Sequence, residues 1–231
     1  GAGYASEGTL TIKDGVLVES SAGYLGYKSG SAGQATVDGE GSSWSCDSDL
    51  FVGYYGQGTL EISDGGNVSC VSGYIGRYSG STGEVSVDGE GSSLNCSSDL
   101  YVGRSGQGTL NISSGGNVNV EGSTWVASEE GSTGQINFDN GTLTTGGLFA
   151  ASADLTGTGV INTHGIVSDI DLLFDSTHGT NQTIVLDSLP GQSITINLSQ
   201  GSTGSLGAGY ASEGTLTIKD GVLVESSAGY L

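Results

Sequence analysis

Apolar and polar positions alternate along this chain in short runs. Leu10-Thr11-Ile12 and Val16-Leu17-Val18 come first, and Leu60-Glu61-Ile62 and Val68-Ser69-Cys70 repeat the pattern later. A period of two puts every second side chain on one face, which predicts short half-buried strands rather than helices. Asp-Gly and Gly-Gly pairs punctuate the runs, as at Asp14-Gly15 and Gly65-Gly66. Both pairs favour tight turns, because Gly accepts positive φ and Asp tolerates it. Around residue 65 the reading is three strands: one around Leu60 and Ile62, one around Val68 and Cys70, and one ending at Ile75.

The runs themselves recur. A small residue following an apolar one returns at Gly3, Gly26, Gly53, Gly76, Gly103, Ala127 and Ala150, spaced 23 to 27 residues apart, the length of one β-helix coil. Residues 26–75 align with 76–125 without a gap, with 29 of 50 positions identical. Residues 207–231 then repeat 1–25 letter for letter, so a longer period of 207 − 1 = 206 residues contains the shorter ones. The expected fold is an all-β parallel solenoid, right-handed by the general chirality of parallel crossovers. One long repeat, residues 1–206, holds about eight coils, and 207–231 begins the next within a single continuous solenoid. The pattern continues with looser spacing through 166–175, 182–187 and 193–199. At about 4.8 Å per coil the long repeat rises roughly 40 Å. One coil cannot bury its apolar face alone, whereas stacked coils share an interior. Neither end carries a polar cap, and Leu231 stops where the pattern of residue 25 demands a following glycine. The chain is therefore expected to continue in both directions.

Composition narrows the alternatives. The chain has 44 Gly, but they do not fall at every third position and Pro190 is the one proline, which excludes a collagen triple helix. Apolar residues make up 35%, too many for a disordered polar segment. With 25 acidic against 5 basic residues the formal charge is −20. No basic stripe is available to neutralise phosphates, so nucleic acid and anionic membrane surfaces are not expected partners. No apolar run approaches the roughly 20 residues of a membrane span, and no membrane insertion is expected in this segment.

Aligning the third strand of successive coils puts Leu25, Val52, Ile75, Val102 and Val126 on one inward face. The residues before them, Tyr24, Phe51, Tyr74, Tyr101 and Trp125, then point outward. They form an aromatic ladder supplemented by Tyr27, Tyr54, Arg77 and Arg104 just beyond the turn. This ladder is the candidate interaction surface. It serves either self-stacking, at roughly 0.2–1 kcal/mol per pair, or a partner such as a neighbouring fibre or a surface polysaccharide. Cys46, Cys70 and Cys96 occupy the position that Val18 and Val120 hold in other coils and read as buried thiols. The coil spacing also admits a disulfide between neighbours, with one cysteine left over. Asp14, Asp38, Asp64, Asp88 and Asp139 recur at the first turn. Turn chemistry accounts for them. Stacked like charges would nonetheless repel by on the order of 1 kcal/mol per pair, which a Ca²⁺ ion would relieve. Asp14 and Asp64 lie two residues past an apolar strand residue, and Asp38 and Asp88 one past. No cofactor is required. Enzymatic activity is not expected: a β-helix active site needs clustered carboxylates with a cationic partner or general base. Here the basic residues are Lys13, Lys28, Arg77, Arg104 and Lys219, and His164 and His178 each sit beside a glycine.

Three strings carry a resemblance: Leu-Gly-Ala-Gly-Tyr (206–210), Val-Gly-Tyr-Tyr-Gly-Gln-Gly-Thr-Leu-Glu-Ile-Ser-Asp-Gly-Gly (52–66) and Gly-Ser-Thr-Gly-Glu-Val-Ser-Val-Asp-Gly-Glu-Gly-Ser (80–92). They resemble the autotransporter and PEP-CTERM associated β-helix repeats of very large exported bacterial proteins, including planctomycete ones. The likeness covers residues 1–165 and 207–231 well and 166–204 less clearly. It implies a secreted or cell-surface β-helix with no catalytic residues to carry over. The expected function is a structural segment of an extracellular fibre or cell-surface filament, serving surface architecture or attachment. The alternatives are a carbohydrate-binding adhesin using the aromatic ladder and an autotransporter passenger stalk.

Overall fold

The computed structural model describes residues 1–199 and 204–230. The chain winds into a parallel β-solenoid of about nine turns. A coil has three faces, as in the strands Gln57–Ser63, Asn67–Cys70 and Gly73–Ile75. Each strand pairs in parallel with its equivalents in the coils before and after. Leu60 lies between Ala35 and Val85, Val68 between Trp44 and Leu94, and Ile75 between Val52 and Val102. All nine of these side chains are at most 2% exposed. The alternation therefore sends every second residue into one continuous interior, where like sits on like along the axis.

The third face gives the coil count directly. Successive pairings carry Tyr24 to Phe51, Tyr74, Tyr101, Trp125, Phe149, Val167, Gly207 and Tyr230. Tyr230 is the copy of Tyr24, 206 residues later. Eight coil-to-coil steps separate them, as the long period requires.

Turns into the first face depend on a left-handed residue. Gly53 has φ of 78°, and a Cβ there would lie 2.3 Å from the carbonyl oxygen of Thr82 in the next coil. The same crowding holds at Gly3, Gly26, Gly76 and Gly103. Ala127 takes this place one coil later with φ of 51°. It is tolerated because the strand that would crowd it is replaced by the 3-10 turn Ser152–Asp154, and pairing resumes only at Leu155, opposite Ile136.

The structure departs from the expected spacing after Trp125. Phe149 pairs with Trp125, so Ala150 aligns with Val126 and not with Ala127. A register shift between Val120 and Ser123 takes up the missing residue. The next rungs are 18 residues apart, Phe149 to Val167, and then 40, Val167 to Gly207. Within the long interval Leu172–Phe174 pairs with Leu216–Ile218 in a separate two-stranded sheet. Asn181–Leu186 folds antiparallel onto Ser193–Ser199. A Pro-Gly turn causes the reversal: the Gln192 amide donates to the Leu189 carbonyl at 3.0 Å, and Gly191 has φ of 77°. Pro at the second and Gly at the third position suit such a reversal.

The repeated 25 letters meet different neighbours in their two places. Ile12, covered by the coil after it, is 2% exposed, whereas its copy Ile218 is 50% exposed. Lys219, the copy of Lys13, reaches Asp175 at 3.4 Å. Leu231, the position from which a following glycine was expected, lies outside the described residues.

Candidate interaction face

The third-face pairing fixes the geometry of the outward side chains, because rings on in-register parallel strands must repeat at the strand spacing. Ring centroids are 5.0 Å apart at Tyr24–Phe51, Phe51–Tyr74 and Tyr74–Tyr101, 6.4 Å at Tyr101–Trp125 and 3.7 Å at Trp125–Phe149. All five pairs are near parallel. The five residues expected to form the ladder do so, and Phe149 adds a sixth rung. The sequence signal for Phe149 was present, an aromatic residue 24 after Trp125, but placing Ala150 opposite Ala127 hid it.

A second column runs beside the first, just beyond the left-handed turn. Tyr4, Tyr27 and Tyr54 stack at 5.1 Å each, and Arg77 and Arg104 take the equivalent place in the next two coils. The columns meet edge to face, at 5.2 Å for Tyr24–Tyr27 and 4.9 Å for Phe51–Tyr54. Edge-to-face contact suits the opposite charges of ring edge and ring face. The Arg77 guanidinium lies 4.5 Å from the Tyr74 ring and 4.8 Å from that of Tyr78. Arg104 lies 5.2 Å from Tyr101, and Lys28 sits 4.9 Å from Tyr4. Three of the five basic residues of a strongly acidic chain thus gather on this corner. Eight of its ten tyrosines do so as well.

What the face offers follows from the stacking. Inside the ladder each ring face is covered by the rings above and below, with Phe51 and Phe149 buried and Tyr24, Tyr74, Tyr101 and Trp125 half-buried. Burial and then the Asp99 carboxylate beside it raise the Tyr101 phenol above its usual pKa, keeping it neutral as a hydrogen-bond donor to that carboxylate at 3.3 Å. A sugar ring stacking flat needs an open aromatic face, and the inner rungs present none.

The other expected sites are arranged differently. Cys46, Cys70 and Cys96 share a second-face column with Ser20 and Val120. Val18 instead pairs with Trp44, so its assignment to the cysteine column was two residues off. The three thiols are free and at most 5% exposed, with the Cys70 and Cys96 sulfurs 3.6 Å apart. Burial pushes the Cys46 thiol up to about 11. The hydrogen bond with Cys96, followed by burial, raises Cys70 further.

The turn carboxylates do not form one column. Asp38 is opposite Ser63 and Asp88 opposite Ser113, and the serine hydroxyls donate to them at 2.7 and 2.6 Å. The Ser113 bond, and after it the Ser114 hydroxyl, hold the Asp88 carboxyl below its usual range. Asp14 and Asp64 occupy the next position along, with φ of 59° and 49°. Asp139 stands at a bulge, held by the Asn140 amide at 3.1 Å. Like charges therefore alternate with Ser or Gly rather than stacking on adjacent coils, which removes the repulsion that motivated a bridging ion. Among the described residues no three His, Cys, Asp or Glu side chains come together in a way that could hold a metal. His164 and His178 lie apart, the first on the Ser199 carbonyl and the second on Asp175.

Comparison with protein-family models, curated proteins and solved structures finds no match to this chain.

Proposed function

We propose that this chain is a segment of an extracellular or cell-surface fibre, built from tandem 206-residue repeats and serving surface architecture or attachment. The observation that carries the reading is the return of register. After eight coil-to-coil steps the copied sequence meets the third face at the equivalent rung, Tyr230 beneath Gly207, just as Ala2 bridges to Leu25 at the other end. A repeat that closes on its own register adds to itself without a kink, and backbone ladders parallel to the axis resist extension. The acidic surface keeps fibres apart in solution. The likeness to exported bacterial β-helix repeats supports the same location and a bacterial source.

The aromatic ladder then acts first as an internal brace, stacking coil on coil. The adhesin alternative draws no support from its inner rungs, whose ring faces are occupied. Electron microscopy of the native material tests the proposal. Smooth filaments with an axial repeat near 40 Å, roughly eight coils of about 4.8 Å, are expected. Discrete globular particles would overturn it.

A further inference from the structure

The aromatic corner contains one pair that differs from the rest. Tyr55 and Tyr78 occupy the same place in neighbouring coils, two residues after the left-handed Gly53 and Gly76. Their rings stack at 4.4 Å with 10° between the planes, closer than any other pair of tyrosines on this face. Both lie outside the strands, in the bends that follow the third face. Tyr55 is 45% exposed and Tyr78 is half-buried. Ladder tyrosines such as Tyr74 and Tyr101, by contrast, sit within the strands Gly73–Ile75 and Leu100–Val102, with rings covered on both sides.

The backbone of the pair is nonetheless held. The Tyr55 amide donates to the Gly26 carbonyl at 3.3 Å, and the Tyr78 carbonyl accepts from the Ser81 amide at 2.9 Å and the Ser81 hydroxyl at 2.7 Å. Two phenols kept in contact and reachable by solvent are what oxidative coupling requires. Proximity replaces a bimolecular encounter with an intramolecular one.

We propose that Tyr55 and Tyr78 form a modification site, where peroxide-driven oxidation joins them as dityrosine and staples one coil to the next. Each phenol gives up one electron and its hydroxyl proton to a peroxidase-type oxidant. The two phenoxyl radicals form a carbon–carbon bond between their ortho ring carbons (Cε), next to the carbons that bear oxygen, and the two Cε hydrogens displaced there return to the oxygens as the rings regain aromaticity. One hydrogen peroxide is reduced to two waters, and the protein loses two hydrogens. The linkage needs only this chain and an oxidant, so it stands or falls separately from the fibre reading.

The test is treatment of the full chain with a haem peroxidase and hydrogen peroxide, followed by dityrosine fluorescence and fragment-ion mapping. The expected product is monomeric, lighter by two hydrogens, and joined between Tyr55 and Tyr78. Tyr78→Phe preserves the stacked ring but removes the phenol, so the cross-linked peptide should vanish while the circular dichroism spectrum stays unchanged. Tyr101→Phe should leave the product intact. Coupling at Tyr74–Tyr101 in its place, coupling only between molecules, or full yield in Tyr78→Phe would each overturn the assignment.

Discussion

Gly53 and Gly80 share a backbone conformation, with φ of 78° and 81°, but only one is crowded. A Cβ at Gly80 meets nothing within 4 Å, whereas one at Gly53 runs into the Thr82 backbone. Gly80→Ala should therefore cost about 1–2 kcal/mol, the left-handed penalty alone. Gly53→Ala adds a coil-to-coil clash that a backbone ladder cannot relax, and should cost more than about 3 kcal/mol. Urea denaturation of the two variants checks the difference, and equal midpoints would contradict it. The cysteines supply a second residue-scale test. A thiol whose folded pKa is raised stays neutral in the fold, so its contribution to stability is whole below the unfolded pKa of about 8.5–9. That contribution is lost as pH climbs through the folded value, about 11 for Cys46. Thiol labelling at pH 8 should be negligible in the native chain and reach all three cysteines in denaturant. Prompt labelling of folded protein would show that the column is open.

Among the elements, the third-face strands make the aromatic ladder. Tyr74 stacks on two neighbours at 5.0 Å each and carries Arg77 on its ring. Two pairs at roughly 0.5–1.5 kcal/mol each make Tyr74→Ser destabilising by about 1–3 kcal/mol, with loss of near-ultraviolet dichroism. Val185→Ser, on the hairpin strand and 56% exposed, should stay within about 0.5 kcal/mol of the parent. At this scale the sequence was most legible where strands alternate strictly. The third-face interior from Leu25 to Val126 and the rings before it fell into the expected columns, because a period of two fixes both faces at once. Legibility failed wherever one residue changes the register. Val18 was misplaced because the polar Ser20 holds the cysteine column in the first coil, so alternation left no apolar signal there, and Ala150 was displaced by a shift midway through a strand pairing. The antiparallel hairpin was signalled by Leu189-Pro190-Gly191-Gln192, yet alternation alone does not state strand direction, so the runs at 182–187 and 193–199 read as further coils.

The whole molecule behaves as a one-dimensional stack, in which coils contact their neighbours and stability accumulates along the axis. Identical letters at 1–24 and 207–230 reach different burial because burial belongs to the stack and not to the coil. The long period was legible from exact repetition, and the structure converts it into eight steps from Tyr24 to Tyr230. The carboxylates were the least legible feature. Their recurrence in sequence suggested a charged column, but a one-residue offset between alternate coils interleaves them with Ser63, Ser113, Gly39 and Gly89. That offset is visible only once register is known. Whether 206 residues form one axial repeat is measured by small-angle scattering on this chain and on one carrying residues 1–206 twice before the closing 25. The expected result is a length increase of roughly 40 Å at unchanged cross-section. A thicker particle of similar length, or two beads on a flexible joint, would contradict the account.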